Sequence, residues 1–127
     1  MTDEAAVRAV IDGIYAAWGR NDADEFVSAY AEDATATLPG SFLDGREAVR
    51  ATMEALFAGD GKGTKGVAEI RRVRFPREHT AVVNTTSATI PAGAAEPPAT
   101  GWAFDTWALS ERDGHWLVDA YHSSPGA

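Results

Sequence analysis

The chain has 127 residues, 45% of them hydrophobic and 24% charged, with a formal net charge of −8; that acidity argues against a nucleic-acid or anionic-membrane partner, because phosphate binding needs clustered Lys and Arg. It has no cysteine, which excludes disulfides, thiolate catalysis and sulfur-ligated metals. At this length one domain over residues 1–127 is expected, burying roughly two-thirds of the surface its unfolded chain would expose.

The start, Met1-Thr2-Asp3-Glu4, is acidic and then amphipathic, so no secretory signal is expected. No apolar run approaches the ~20 residues needed to cross a bilayer, so a cytoplasmic protein is expected. Val7, Val10, Ile11, Ile14 and Trp18 then form one stripe of an α-helix, capped by Thr2 or Asp3 and ended by Gly19 near Asn21. A shorter helix starts at Asp22, where Asp22-Ala23-Asp24-Glu25 has capping-box spacing; Phe26, Val27 and Tyr30 are its expected buried side. Residues 34–38 read as a short strand stopped by Pro39-Gly40. Asp44-Gly45-Arg46-Glu47 repeats the capping spacing and opens a third helix, with Val49, Met53, Leu56 and Phe57 as its stripe and Gly59 at its end.

Residues 59–66 hold four glycines and are expected to form a mobile loop. Within them Gly61-Lys62-Gly63-Thr64-Lys65-Gly66 matches G-x-G-x-x-G, but a dinucleotide site needs a strand before it and a helix after it. Here the order is reversed, and no phosphate role is assigned. Residues 67–75 and 80–90 are rich in β-branched residues and read as strands; Arg71, Arg72, Arg74 and Arg77 form a solvated basic face there. Residues 91–100 are a flexible connection. Two long strands follow, residues 101–111 and 115–123, joined at Arg112-Asp113-Gly114, because Asp-Gly between apolar-alternating runs is a strong hairpin signal. Both faces of the first carry apolar bulk, so one packs on helices and the other is expected to be covered too, by a second subunit. The order is ααβα followed by four strands, an α+β fold with helices on one side of an antiparallel sheet.

Candidate chemistry concentrates in that last hairpin. Asp105 shares a face with Ala103, Trp107 and Leu109, where a carboxylate is out of place unless paired or protonated. It is either a hydrogen-bond donor or general acid/base, or an Asp bonded to a neighbouring Tyr, Trp or Arg. Asp119, between Leu117 and Tyr121, poses the same question. His122 ends a face made by Trp116, Val118 and Ala120, as a pocket base or a satisfied core histidine. Tyr15, Trp18 and Tyr30, together with Phe57, Trp107 and Tyr121, are the candidate ligand-binding aromatics. His79 and His115 fall in turns. No His/Asp cluster has metal-ligand spacing, so neither metal nor other cofactor is expected.

Several segments, taken in order, resemble the NTF2-like superfamily: Ala16-Ala17-Trp18, Asn21-Asp22-Ala23-Asp24-Glu25-Phe26, Tyr30-Ala31-Glu32-Asp33-Ala34 and Gly45-Arg46-Glu47-Ala48-Val49. The end of the chain, Asp113-Gly114-His115-Trp116-Leu117-Val118 with His122-Ser123-Ser124-Pro125, is similar to its SnoaL-like and SgcJ/EcaC branches. The resemblance implies a cone: three helices on a curved antiparallel sheet, a mostly apolar pocket at one end, and homodimers through the outer sheet face. Superfamily members include ketosteroid isomerases, polyketide cyclases, dehydratases and non-catalytic binding domains; SgcJ-type proteins are associated with polyketide and enediyne pathways.

Compared with the isomerases, the general-base position falls on Leu38, the helix-one tyrosine falls on Ile14 with Tyr15 one step away, and only the second aspartate has a match, at Asp105. SnoaL-type cyclases carry their acid/base on late strands, where Asp105, Asp119 and His122 are candidates. The expected function is cofactor-free binding of an apolar, polyketide- or polyene-like molecule, with or without acid/base cyclisation or isomerisation. The alternatives are a carrier module and a dimerisation domain.

Overall fold

A computed structural model describes residues 2–126. Helix α1 (Asp3–Gly19) starts where the Thr2 hydroxyl accepts the Ala5 amide, and it buries Val7, Ile11, Ile14 and Ala17. One turn, α2 (Ala23–Phe26), begins at Asp22, whose carboxylate accepts the Glu25 amide. Tyr30 lies beyond that turn as the first residue of β1 (Tyr30–Leu38), rather than on a longer second helix. β1 returns through Gly40 into β2 (Ser41–Asp44), a strand the sequence reading did not contain. α3 (Arg46–Ala58) is capped by Gly45 at φ 102° without a side-chain bond, because Asp44 belongs to β2.

The last four strands are β3 (Lys65–Arg74), β4 (Thr80–Ile90), β5 (Ala103–Arg112) and β6 (His115–Ser124). Asp113 and Gly114 take φ 51° and 81° at the closing turn, the positive values that a two-residue hairpin requires. The strands form one sheet in the order β2-β1-β6-β5-β4-β3. All neighbours are antiparallel except β1 and β6, which run parallel. That exception follows from the chain path: β6 arrives beside β1 only after α3 and four intervening strands.

The sheet curls around the helices. α1 packs on β3 and β6, α3 on β1 and β2, and α2 bridges the two longer helices. Val7, Ile11, Val83, Trp107, Leu109 and Val118 are among the most deeply buried side chains in the resulting core. The run of residues 59–66, expected to be mobile, is fastened to the end of α1. Trp18 donates its indole N–H to Thr64 Oγ1 at 3.0 Å, Asn21 donates to the Thr64 carbonyl at 3.0 Å, and the Gly63 amide donates to Asn21 Oδ1 at 2.6 Å. A Cβ on Gly66 would lie 2.2 Å from Trp18 Cε3. Gly66 therefore serves close packing against α1, while Gly61 packs against Leu56 of α3 and Gly63 supplies a positive φ of 80°.

Two irregularities decide which side chains face inward. In β6 the register slips between the pairs Ala108–Ala120 and Leu109–Val118, leaving Asp119 as an extra residue. Before this bulge Trp116 and Val118 are buried; after it Ser123 is buried and His122 is exposed. A bulge shifts every later side chain to the opposite face. In β5 no such slip intervenes between residues 103 and 108, and Asp105, Trp107 and Leu109 all point into the core.

Candidate functional site

Between the helices and the concave side of the sheet lies a cavity of about 320 Å³. Ile14, Tyr15 and Trp18 of α1 form one wall, Phe26, Tyr30 and Leu38 a second, and Met53 and Leu56 of α3 a third. The sheet contributes Ser87, Ala103, Trp107, Tyr121 and Ser123. The aromatic rings brace one another: Tyr15 stacks on Trp18 with centroids 6.0 Å apart and meets Trp107 edge-on at 6.3 Å, and Trp107 lies 4.3 Å from Tyr121. Such a wall is apolar in bulk, with a few hydroxyls placed where they can orient a ligand.

Asp105 sits behind that wall, only 3% exposed. Its Oδ1 accepts the Tyr121 hydroxyl at 3.0 Å and its Oδ2 accepts the Thr85 hydroxyl at 2.9 Å. Thr85 in turn accepts the indole N–H of Trp107 at 3.1 Å. Strand register builds this cluster: Thr85 of β4 is the direct cross-strand partner of Asp105, and Tyr121 of β6 is the partner of Trp107. A buried carboxylate with two hydroxyl donors is satisfied without a cation.

The phenols are the titratable groups that touch the cavity. Burial pushes Tyr15 well above its ordinary value of 10.0; the negative charge of Asp105 pushes it the same way, and hydrogen bonding from Ser87 and Tyr121 offsets part of the rise. Tyr121 is raised by burial first, then by Tyr15 and Asp105. Burial likewise raises Tyr30. All three are therefore neutral phenols, available as hydrogen-bond partners rather than as phenolate bases.

The candidate residues separate into two groups. Asp105, Tyr15, Trp18, Tyr30, Trp107 and Tyr121 come together at the cavity or directly behind it. Phe57 is buried in the core beneath Phe26, ring centroids 6.4 Å apart, and its other surface borders a depression outside the cavity. The inward position expected for His122 is corrected by the β6 bulge, which turns the imidazole to solvent. Asp119, the extra residue of that bulge, pairs with Arg112 beside the hairpin turn, away from the cavity. Ser87, Thr85 and Ser123 were not singled out in the sequence. Nothing local marks them, because their role depends on cross-strand pairing.

Among the described residues no group of three or more His, Cys, Asp or Glu side chains is placed to hold a metal, and no helix is long and apolar enough to cross a membrane. Six strands curled around helices, with a mostly apolar pocket over the buried Asp105, define a cone-type α+β pocket protein. The SnoaL-like domain family matches residues 11–118, and the chain belongs to that family.

Solved structures agree on the fold. A domain of unknown function with a cystatin-like fold from Nostoc punctiforme PCC 73102 superposes with a TM-score of 0.89 at 25% identity, covering 98% of this chain and 78% of that one. An NTF-2 like protein of unknown function from Shewanella oneidensis MR-1 gives a TM-score of 0.80 at 18% identity, covering 97% and 99%. A ketosteroid isomerase-like protein from Erwinia carotovora atroseptica gives 0.77 at 18% identity, covering 100% and 99%. The sequence matches no curated protein.

Proposed function

We propose that this chain binds a mostly apolar small molecule, polyketide- or polyene-like in its bulk, in the cone between α1, α3 and the sheet. The supporting observation is the wall itself: aromatic and aliphatic side chains around about 320 Å³, interrupted by hydroxyls gathered over one buried carboxylate. Trp18 and Trp107 line that wall and report occupancy directly. Intrinsic fluorescence titrated with a panel of polycyclic aromatics and polyenes should show saturable quenching. Absence of saturation with every compound would leave only a scaffold or dimerisation role.

Acid/base chemistry is the second reading, favoured by the contact between Tyr121 and Asp105. In it Asp105 exchanges a proton through the Tyr121 hydroxyl with a carbonyl or enol of the bound molecule, and positioning directs cyclisation or isomerisation. His122 and Asp119 have no part, since both lie off the cavity. Asp105→Asn should then lower turnover at least tenfold while ligand still quenches; unchanged turnover would leave the non-catalytic carrier. On the residues of the terminal hairpin we also infer kinship with SgcJ/EcaC proteins and their enediyne pathways. A homodimer through the outer sheet face is inferred as well, where Phe104 is 58% exposed; sedimentation equilibrium tests it, and a monomer at micromolar concentration would count against it.

A further inference from the structure

The hydroxyls of the cavity have a direction set by the groups at their far end. An indole N–H can only donate and an ionised carboxylate can only accept. Trp107 therefore fixes Thr85 as an acceptor on one side, and the Thr85 proton goes on to Asp105 Oδ2. Thr85 is 2% exposed, so a proton placed on Oδ2 would strand its hydrogen in the core, at a cost characteristic of a buried unpaired donor. At the other oxygen the Tyr121 proton is committed to Oδ1. Tyr121 is thereby left with lone pairs, and no proton, on the cavity side. Tyr15, Ser87 and Ser123 line the cavity around that phenol, and hydrogen bonds in a chain of hydroxyls polarise one another in a common direction.

Resting on the pocket-binding function above, we propose that the cavity selects a ligand whose polar group is a hydroxyl donor, an alcohol or phenol, over the carbonyl analogue of the same skeleton. A donor completes the chain that ends on Asp105. A carbonyl oxygen would face the Tyr121 lone pairs, and could pair only by drawing the Tyr15, Ser87 or Ser123 hydroxyl away from the chain. Sites built around a hydrogen bond to a substrate hydroxyl discriminate strongly for this reason.

The test compares 2-tetralol, 2-tetralone and tetralin by tryptophan fluorescence on the intact chain. The alcohol should bind at least tenfold more tightly than the ketone. Tyr121→Phe should bring that ratio close to one, and Asp105→Asn, which offers Tyr121 an amide donor, should lower or invert it. Equal binding of alcohol and ketone, or a preference for the ketone, overturns the inference while leaving the pocket itself intact; a ketone preference would put a proton on Oδ1 and free the Tyr121 hydroxyl to donate. Failure of all three compounds, tetralin included, together with the wider panel, sinks the pocket reading instead. The wild-type ratio decides even if either variant fails to fold.

Discussion

Trp18 rests against Gly66 so closely that a Cβ on the glycine would come within 2.2 Å of one ring carbon and 2.6 Å of the next. The ring cannot retreat freely, because its indole N–H is held by Thr64 and its other side stacks on Tyr15. Gly66→Ala should therefore destabilise the protein by roughly 1–3 kcal/mol, the usual cost of overpacking, and alter the tryptophan emission spectrum. Gly13→Ala is the control: it lies inside α1 with nothing within 4 Å of its would-be Cβ. There alanine should add about 0.5–1 kcal/mol by favouring the helix. Urea unfolding of both variants measures the contrast, and a Gly66→Ala protein as stable as the parent would contradict the packing.

Thr85 is the hinge of the buried polar cluster. Thr85→Val keeps the shape of the side chain but removes an acceptor from Trp107 and a donor from Asp105. Each orphaned partner costs about 1–3 kcal/mol when buried, so a combined loss of roughly 2–4 kcal/mol is expected. Thr85→Ser retains the hydroxyl and should recover most of that loss. Denaturant midpoints of the two variants test this, and a Thr85→Val midpoint equal to that of Thr85→Ser would show that the hydroxyl contributes nothing.

Much of this arrangement is legible in the sequence, and the remainder fails for identifiable reasons. The stripe of α1, the span of β4 from Thr80 to Ile90 and the Asp113-Gly114 turn rest on local periodicity or turn chemistry, which a linear reading captures. β2 is four residues with little alternation, and its existence depends on pairing back onto β1. The site divides in the same way. A carboxylate among apolar neighbours singles out Asp105, but Thr85 is its partner only through the β4–β5 register. His122 was misplaced by one bulge. The inward phase moves from Trp116 and Val118 to Tyr121 and Ser123, from even to odd positions, a change set by the pairing of β6 with β5.

His79 offers a pH test away from the cavity. Its Nδ1 lies 2.6 Å from Glu111 Oε1, and its Nε2 lies 3.3 Å from Glu78. The hydrogen bond to Glu111, aided by the charges of Glu78, Glu111 and Asp3, raises the imidazole above its ordinary value of 6.5. Because the folded state binds the proton more tightly, the stabilisation is complete below the unfolded value and is lost as pH rises through the folded one. Following the His79 ring protons by NMR should give a midpoint above 6.5. His79→Gln should remove the corresponding slope from stability against pH, and a midpoint at or below the ordinary value would mean the contact does not persist in solution.

The three tyrosines of the chain, Tyr15, Tyr30 and Tyr121, provide the final test. All are raised above 10.0, principally by burial, with the charge of Asp105 adding to the effect at Tyr15 and Tyr121. An unfolded chain ionises its phenols near 10, whereas the folded chain resists, so the unfolded state loses protons first and stability falls as pH rises above that value. Phenolate absorbance should stay flat through pH 10 and then rise in one cooperative step, together with loss of near-ultraviolet circular dichroism. Asp105→Asn removes the nearby negative charge but not the burial, so its step should remain single. A tyrosine that ionises near 10 in the still-folded protein would mean that its hydroxyl meets bulk water, and its burial in the cavity wall would have to be abandoned.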